Sequence, residues 1–372
     1  MYFRLNPECY FIKGVKLGAI YDIISGEIYH LDECQTDLLS DAEKNIPIVE
    51  NSFFDSLNEK CLGNFYECPP YIQKLREGPR NMFDDLDMPI LIEKVFLEIT
   101  NNCNINCSFC GGSVKRLNGC MGCNKFDNEN KVDLNLDTII EVIDDLERLN
   151  CQNLFIKGGD ITLNWDVSLK IINYAKDKFL NVIITLHESQ YCDEIFKDVP
   201  ENIKVIIQVD TLNHVEKFDK SCLILLMSDV NMDISNLYDD LFIEQDYIFN
   251  NDDKKFTYPS TDYHNFTNNL EYHPCLSNSL AITSNGNVLP CIMMRNDIFG
   301  NVYDNRLYEI IHDNFNSIDK FWKLNLDKIN QCKDCEFRYA CDDCRALENS
   351  KNSNLFSKTT CNYNPNAGNL FN

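Results

Sequence analysis

The chain has 372 residues, 44% hydrophobic and 25% charged, enough for two or three domains and the balance of an ordinary folded protein rather than a disordered one. Its formal net charge of −24 argues against a nucleic-acid backbone as the main partner. No aliphatic run approaches the ~20 residues of a membrane span, the longest lying near Cys222 to Met227. The opening segment lacks the apolar core and small-residue cleavage site of a secretory signal, so a cytoplasmic protein is expected.

Residues 1–90 read as a small α+β unit with a linker. "GAIYDIISGEIYHL" alternates apolar and polar positions around Ser25-Gly26, a hairpin signal. Asp32 is placed to cap a helix through Leu38 and Leu39, and "ENSFFDSLNEKCL" predicts a second helix. Pro69, Pro70, Pro79 and Pro89 interrupt regular structure before the next domain.

From Lys94 strands and helices alternate. "KVFLEIT" is a buried-strand run, and apolar residues at 136, 139, 140, 143, 146 and 149 have helical spacing. "NLFIKGGD" predicts the next strand, with a helix from Trp165 to about Phe179. "NVIITLHES", "IKVIIQVD", "CLILLM" and "EQDYIF" complete six strands. Strands joined by crossovers imply a parallel sheet, here a partial (β/α)6 TIM-like barrel over residues 91–265. Function in such sheets collects at the carboxyl ends of strands, where Cys103, the "GGD" of 158–160, His187, Glu188 and Asp210 fall. The segment 266–372 is cysteine-rich, with one helix expected around "YEIIHDNFNSIDKFWKLN".

Nineteen cysteines without an export signal point to metal rather than disulfides. "CNINCSFC" puts Cys103, Cys107 and Cys110 in a loop leaving the first strand. A 4Fe–4S cluster has four corners, so three thiolates leave one iron open to a small molecule. Zinc competes only if Cys120 or Cys123 adds a fourth ligand. Further on, Cys275 and Cys291 flank a hairpin-like stretch with "SNGN" as its turn. "CKDCEFRYACDDC" then supplies Cys332, Cys335, Cys341 and Cys344, followed by Cys361. Its two CxxC pairs stand closer together than the common zinc arrangement allows.

These motifs resemble the radical S-adenosylmethionine enzymes: "CNINCSFC" after a first parallel strand, with Phe109 before the last cysteine, and "KGGD" where that family carries Gly-Gly-Glu. Asp160 in place of Glu is a departure, one methylene shorter. The resemblance implies that the open iron binds the amino and carboxylate groups of S-adenosylmethionine. It also places Phe109 near the adenine and Gly158, Gly159 and Asp160 against the ligand. His187 and Glu188 stand where ribose hydroxyls or the methionine could be touched, or else are ordinary loop residues.

The seven later cysteines resemble the SPASM extension, which implies two auxiliary 4Fe–4S clusters and three in all. Cys275, Cys291 and Cys344 correspond to the first set, with Cys120, Cys123, His273 or substrate as its fourth ligand. Cys332, Cys335, Cys341 and Cys361 correspond to the second; the Cys341–Cys344 spacing of two is shorter than the usual three. "CEFRYACDDCRA" and "CNYNPNAG" are similar to the peptide maturases of grasp-with-spasm systems. That likeness implies a ribosomally made precursor peptide as substrate, an ATP-grasp ligase in the same system, and flavodoxin or ferredoxin as reductant. The expected reaction is hydrogen abstraction followed by oxidation to a thioether or C–C crosslink. The alternatives are sulfatase-type maturation of a folded protein, weakened by Ile292 where those enzymes carry Asp, and a non-catalytic iron–sulfur peptide-binding protein.

The N-terminal hairpin and helices suit either a winged-helix module that binds a leader peptide by strand addition or a cap on the barrel mouth. Arg295 and Asp297 read as an ion pair or substrate contacts, and Arg338 and Arg345 as partners of acids or of cluster charge. Cys9, Cys34, Cys61, Cys68, Cys151, Cys192 and Cys222 lack ligand spacing and read as small hydrophobes.

Overall fold

β-Branched and aromatic residues build the first strands of the computed structural model, β1 (Tyr2–Leu5) and β2 (Cys9–Lys13). It describes residues 1–75, 90–105, 107, 110, 115–126, 129, 132–213, 215–219, 221–230, 242–249, 254–352 and 354–370. The expected hairpin forms from β3 (Gly18–Asp22) and β4 (Ile28–Leu31), with Tyr21 opposite Ile28. Gly26 turns it at φ 80°, a conformation open to glycine at little cost. Asp32 and Gln35 form a reciprocal capping box at the start of α1 (Glu33–Glu43), and Asn51 caps α2 (Ser52–Glu59). β5 (Gly63–Tyr66) returns antiparallel to β1, while β2, β3 and β4 form a three-stranded meander. Phe3, Leu5, Ile20, Leu39, Phe54 and Leu57 bury the faces these elements share.

All six expected barrel strands are present. β6 (Lys94–Thr100) is followed by β7 (Lys115–Arg116), α3 (Leu136–Arg148), β8 (Asn153–Gly158), α4 (Trp165–Ala175) and β9 (Asn181–His187). Then come α5 (Asp193–Phe196), β10 (Ile203–Val209), β11 (Leu223–Ser228) and β12 (Phe242–Phe249). The sheet order is β6-β8-β9-β10-β11-β12, each neighbour parallel, and β7 joins β12 antiparallel. Every strand thus ends at the same edge, which places Cys103, Gly159, Glu188 and Asp210 together. α4 stops at Ala175, short of the expected Phe179, where Lys178 N bonds the Ala175 carbonyl and tightens the last turn. Among the described residues only a short 3₁₀ turn, Val215–Lys217, lies between β10 and β11, so the helix is not repeated after every strand.

Next come α6 (Tyr263–Glu271) and the antiparallel pair β13 (Ser279–Ile282) and β14 (Asn287–Leu289), turned by Gly286 at φ 84°. β13 also pairs parallel with β6, so the expected hairpin extends the main sheet, and β15 (Gly300–Asn301) adds to β14. The single helix expected around 308–325 is two, α7 (Leu307–Asp313) and α8 (Phe315–Trp322), because Asn314 folds its side chain and amide onto the Ile310 carbonyl. α9 (Arg345–Asn352), β16 (Tyr363–Asn364) and β17 (Asn369–Leu370) finish the chain. Two compact units result. One comprises Met1–Met88, Lys254–Cys275 and Lys323–Asn372, the other Pro89–Asp253 and Leu276–Trp322. The expected segments 1–90, 91–265 and 266–372 are consecutive, whereas these units are not.

Candidate active site

β6 is followed by Asn101, whose side chain holds both the amide and the carbonyl of Phe126 (2.7 and 3.0 Å) and pins the cysteine loop at its base. Cys103, Cys107 and Cys110 are half-buried. The Cys103 sulfur accepts the Ile105 amide at 3.4 Å, and Cys110 N approaches the Cys107 carbonyl at 3.4 Å. Burial raises the Cys103 thiol, whereas the hydrogen bond from Cys107, aided by the charges of Arg116 and Lys125, draws Cys110 down to about 6. Phe109 lies outside the described residues.

Gly158 and Gly159 have a specific steric duty. A Cβ on Gly158 would sit 2.4 Å from the Thr100 carbonyl oxygen, and one on Gly159 would sit 2.4 Å from that of Asn102 and 3.0 Å from Cys103 Cβ. Gly159 N and Asp160 N bond those same carbonyls at 3.0 and 2.7 Å. The glycines therefore let the end of β8 close on the loop that carries Cys103. Asp160 is buried, and its Oδ1 accepts from Thr162 N (2.9 Å) and Oγ1 (2.6 Å), capping the 3₁₀ turn Ile161–Asn164. Beside it, a cavity of about 370 Å³ is lined by Asn102, Cys103, Asp133, Asp160 and the apolar faces of α3 and α4.

Cys107 Sγ, a His187 ring nitrogen and an Asp210 carboxylate oxygen lie within 4.8 Å of one another. His187 Nδ1 accepts the Ser189 amide at 3.2 Å, which leaves the proton on Nε2. Among the described residues neither that Nε2 nor Asp210 Oδ1 has a hydrogen-bond partner; the two stand 3.6 Å apart, on a buried ring and a part-exposed carboxylate. A buried imidazole N–H gains from a polar partner, and the carboxylate beside it reaches solvent. Glu188 follows β9, and its Oε1 accepts the Asp210 amide at 3.2 Å.

Within the same unit a buried polar layer lies beneath these residues, unforeseen from sequence. Arg116 pairs with Asp246 at 2.6 Å and donates to Gln208 Oε1 and Asn124 Oδ1 at 3.0 Å each. Gly122 makes this possible, since a Cβ there would fall 2.0 Å from Arg116 Nη2. Lys157, fully buried, donates to the Cys120 carbonyl, and burial lowers its amine to about 8. The segment 115–126 thus lies against the inner faces of β8, β10 and β12. The signal was a lone arginine before "NGCMGCN" in an acid-rich chain.

Arg295 forks onto Glu98 and Glu129, and its guanidinium lies 4.0 Å over Phe126. It is a half-buried structural link rather than a surface pair. Asp297's carboxyl is raised by burial. Cys120 packs beside Ile292 and Met293, the two residues after Cys291, whereas Cys123 is buried, which raises its thiol to about 12.

In the unit that contains the tail, Cys341 packs with Cys332 against Leu324, Leu326 and Ile329, and with Cys335 and Cys361 against Phe337 and Tyr363. Burial raises all four thiols, Cys332 to about 12. The amides of Phe337 and Tyr363 each point at the sulfur two residues earlier, Cys335 and Cys361, at 3.4 Å. Cys103 and Cys291 receive the same kind of bond from Ile105 and Met293. Such N–H···S bonds favour thiolates and tune iron–sulfur centres. Cys275 and Cys344 belong to this unit and Cys291 to the other. His273 has both ring nitrogens engaged, Nδ1 by the Cys275 amide (2.9 Å) and Nε2 by Asp343 (3.0 Å), so it offers no free nitrogen to a metal. Arg338 and Arg345 pair with Asp327 and Asp343.

Residues 97–220 match the Radical SAM superfamily model, and residues 274–336 match SPASM, an iron–sulfur cluster-binding domain. An uncharacterized protein of Methanocaldococcus jannaschii is 28% identical over 127 residues, 32% of this chain; the chain spans 40% of that relative's length. Among solved structures, Streptococcus suis SuiB bound to S-adenosylmethionine is 13% identical with a TM-score of 0.47, covering 96% of this chain and 99% of that one. SuiB bound to precursor peptide SuiA is 12% identical with a TM-score of 0.48, covering 96% and 98%. Native anSMEcpe with bound AdoMet is 14% identical with a TM-score of 0.49, covering 71% and 92%. At such scores these likenesses bear on neither substrate nor reaction. The cysteine loop at the end of β6 and the cysteine-rich tail are accordingly the marks of the group this chain belongs to, the radical SAM superfamily with a SPASM iron–sulfur cluster-binding domain.

Proposed function

We propose that this chain is a radical SAM/SPASM peptide maturase that installs an oxidative crosslink, thioether or C–C, in a ribosomally made precursor peptide. The carrying observation is the convergence of Cys107 with His187 and Asp210 at the carboxyl ends of β9 and β10. Cys103, Cys107 and Cys110 would hold one 4Fe–4S cluster, and the residues fit it: three half-buried thiols, one of them already lowered, on a loop closed by Gly158 and Gly159. The unpartnered His187 Nε2–H and Asp210 Oδ1 suit the hydroxyls and charged groups of S-adenosylmethionine. Bound to a reduced cluster, that cofactor supplies a 5′-deoxyadenosyl radical able to take a hydrogen atom from substrate.

What the chain's own residues do is position and exclude water. Arg116, Asp246, Gln208 and Lys157 fill the layer beneath the site with internally paired groups. Asp160 acts through the 3₁₀ turn it caps, with Glu188 bracing the Asp210 backbone. Cys332, Cys335, Cys341 and Cys361 would hold one auxiliary cluster, supported by their shared packing. Cys275, Cys291 and Cys344 would contribute to the other, three clusters in all. An ATP-grasp ligase and a flavodoxin or ferredoxin reductant belong to the same reading. The β2-β3-β4 meander with α1 and α2 is the part of it suited to a leader peptide.

The test is incubation of the reconstituted chain, S-adenosylmethionine and reductant with short peptides encoded in the adjacent open reading frames, followed by mass spectrometry. The reading predicts loss of a hydrogen pair per crosslink. An unmodified peptide alongside active cofactor cleavage would refute a peptide substrate of that kind.

A further inference from the structure

The cysteine-rich unit contains a buried charge group that cluster ligation does not require. The side chains of Asp343, Arg345 and Glu348 are fully buried. Arg345 forks onto both oxygens of Asp343, with Nη2 to Oδ1 at 2.6 Å, while its Nη1 donates to the carbonyls of Leu355 and Ser357 at 2.8 Å each. Glu348 takes the amides and hydroxyls of Thr359 and Thr360, four bonds at 2.5 to 3.1 Å. Two side chains of α9 thus clamp the whole run from Leu355 to Thr360, immediately before Cys361. In the middle of that run stands Lys358, its Nζ 2.7 Å from Asp343 Oδ1 and 3.9 Å from Glu348 Oε1.

Two buried carboxylates, Asp343 and Glu348, thus face two cations, Arg345 and Lys358. Of the two cations Lys358 is the one in the run that leads into Cys361; its side chain is 13% exposed, and its charge acts on Cys332, Cys341 and Cys361 together. We propose that the Lys358 ammonium, held by Asp343 beside the Cys332, Cys335, Cys341 and Cys361 group, raises the reduction potential of the cluster that this group carries. This rests on reading the four cysteines as cluster ligands. A cluster gains a negative charge on reduction, so a fixed neighbouring cation favours the reduced form. Lys358 is a positioning residue that makes this cluster a better electron acceptor, without ligating iron.

The experiment is a redox titration followed by electron paramagnetic resonance on the full reconstituted chain. Wild type is compared with K358M, K358Q and K358R, tracking the signal that disappears in C332A/C361A. Both neutral variants are expected to make reduction about tenfold less favourable, a shift of ~59 mV to lower potential for one electron, and K358R to stay near wild type. Neutral variants that titrate with wild type would overturn the inference while leaving the cluster reading intact. Loss of the cluster in K358M and K358Q but not K358R would also overturn it, since the ammonium would then serve assembly. Unchanged iron and signals in C332A/C361A would overturn the cluster reading itself, and the inference with it.

Discussion

Gly159 carries more of the site than its size suggests. A Cβ on it would fall 2.4 Å from the Asn102 carbonyl oxygen, and Asn102 precedes Cys103. Gly159→Ala should therefore displace the cysteine loop, lowering stability by ~1–3 kcal/mol and depressing retention of the first cluster more than the others. Thermal unfolding and iron analysis of G159A would check this, and unchanged values for both would remove the steric role. "KGGD" was legible as a strand end and as a family motif. That its glycines face a neighbouring loop was not, because the contact joins residues fifty-odd positions apart. His273 teaches the same lesson: the sequence permits it as a ligand, and only its engaged nitrogens rule it out.

Among elements, the six parallel strands and helices α1 to α3 follow from alternation, apolar runs and caps visible in the chain. The segment 115–126 was opaque, since its placement comes from one buried arginine and its partners on β10 and β12. Lys157 reports on that packing. Its folded pKa of about 8 lies below the ordinary 10.5, so between those values the unfolded chain binds more protons, and this residue makes stability rise with pH. Below about pH 8 the full cost of burying the ammonium is present. K157M should remove that rise, measured as the difference between wild-type and variant denaturant midpoints across pH 7 to ~10.5. Parallel profiles would mean that the amine is solvated.

At the scale of the molecule, one compact unit joins the beginning and end of the chain. Tyr21 donates to the Glu336 carbonyl at 2.8 Å, His30 meets the Glu336 side chain at 3.0 Å, and Val15 N bonds the Asp334 carbonyl at 2.8 Å. The N-terminal meander therefore packs on the Cys332–Cys341 loop. Reading by segment could not find this, because each residue is unremarkable until the loop is fixed. The proposed chemistry rests instead on three thiols that were plain from their spacing. Reconstituted protein reduced with dithionite should convert S-adenosylmethionine to 5′-deoxyadenosine and hold about twelve irons, four per cluster. The C103A/C107A/C110A variant should form none while keeping the auxiliary iron. Persistent 5′-deoxyadenosine formation in that variant would contradict the assignment.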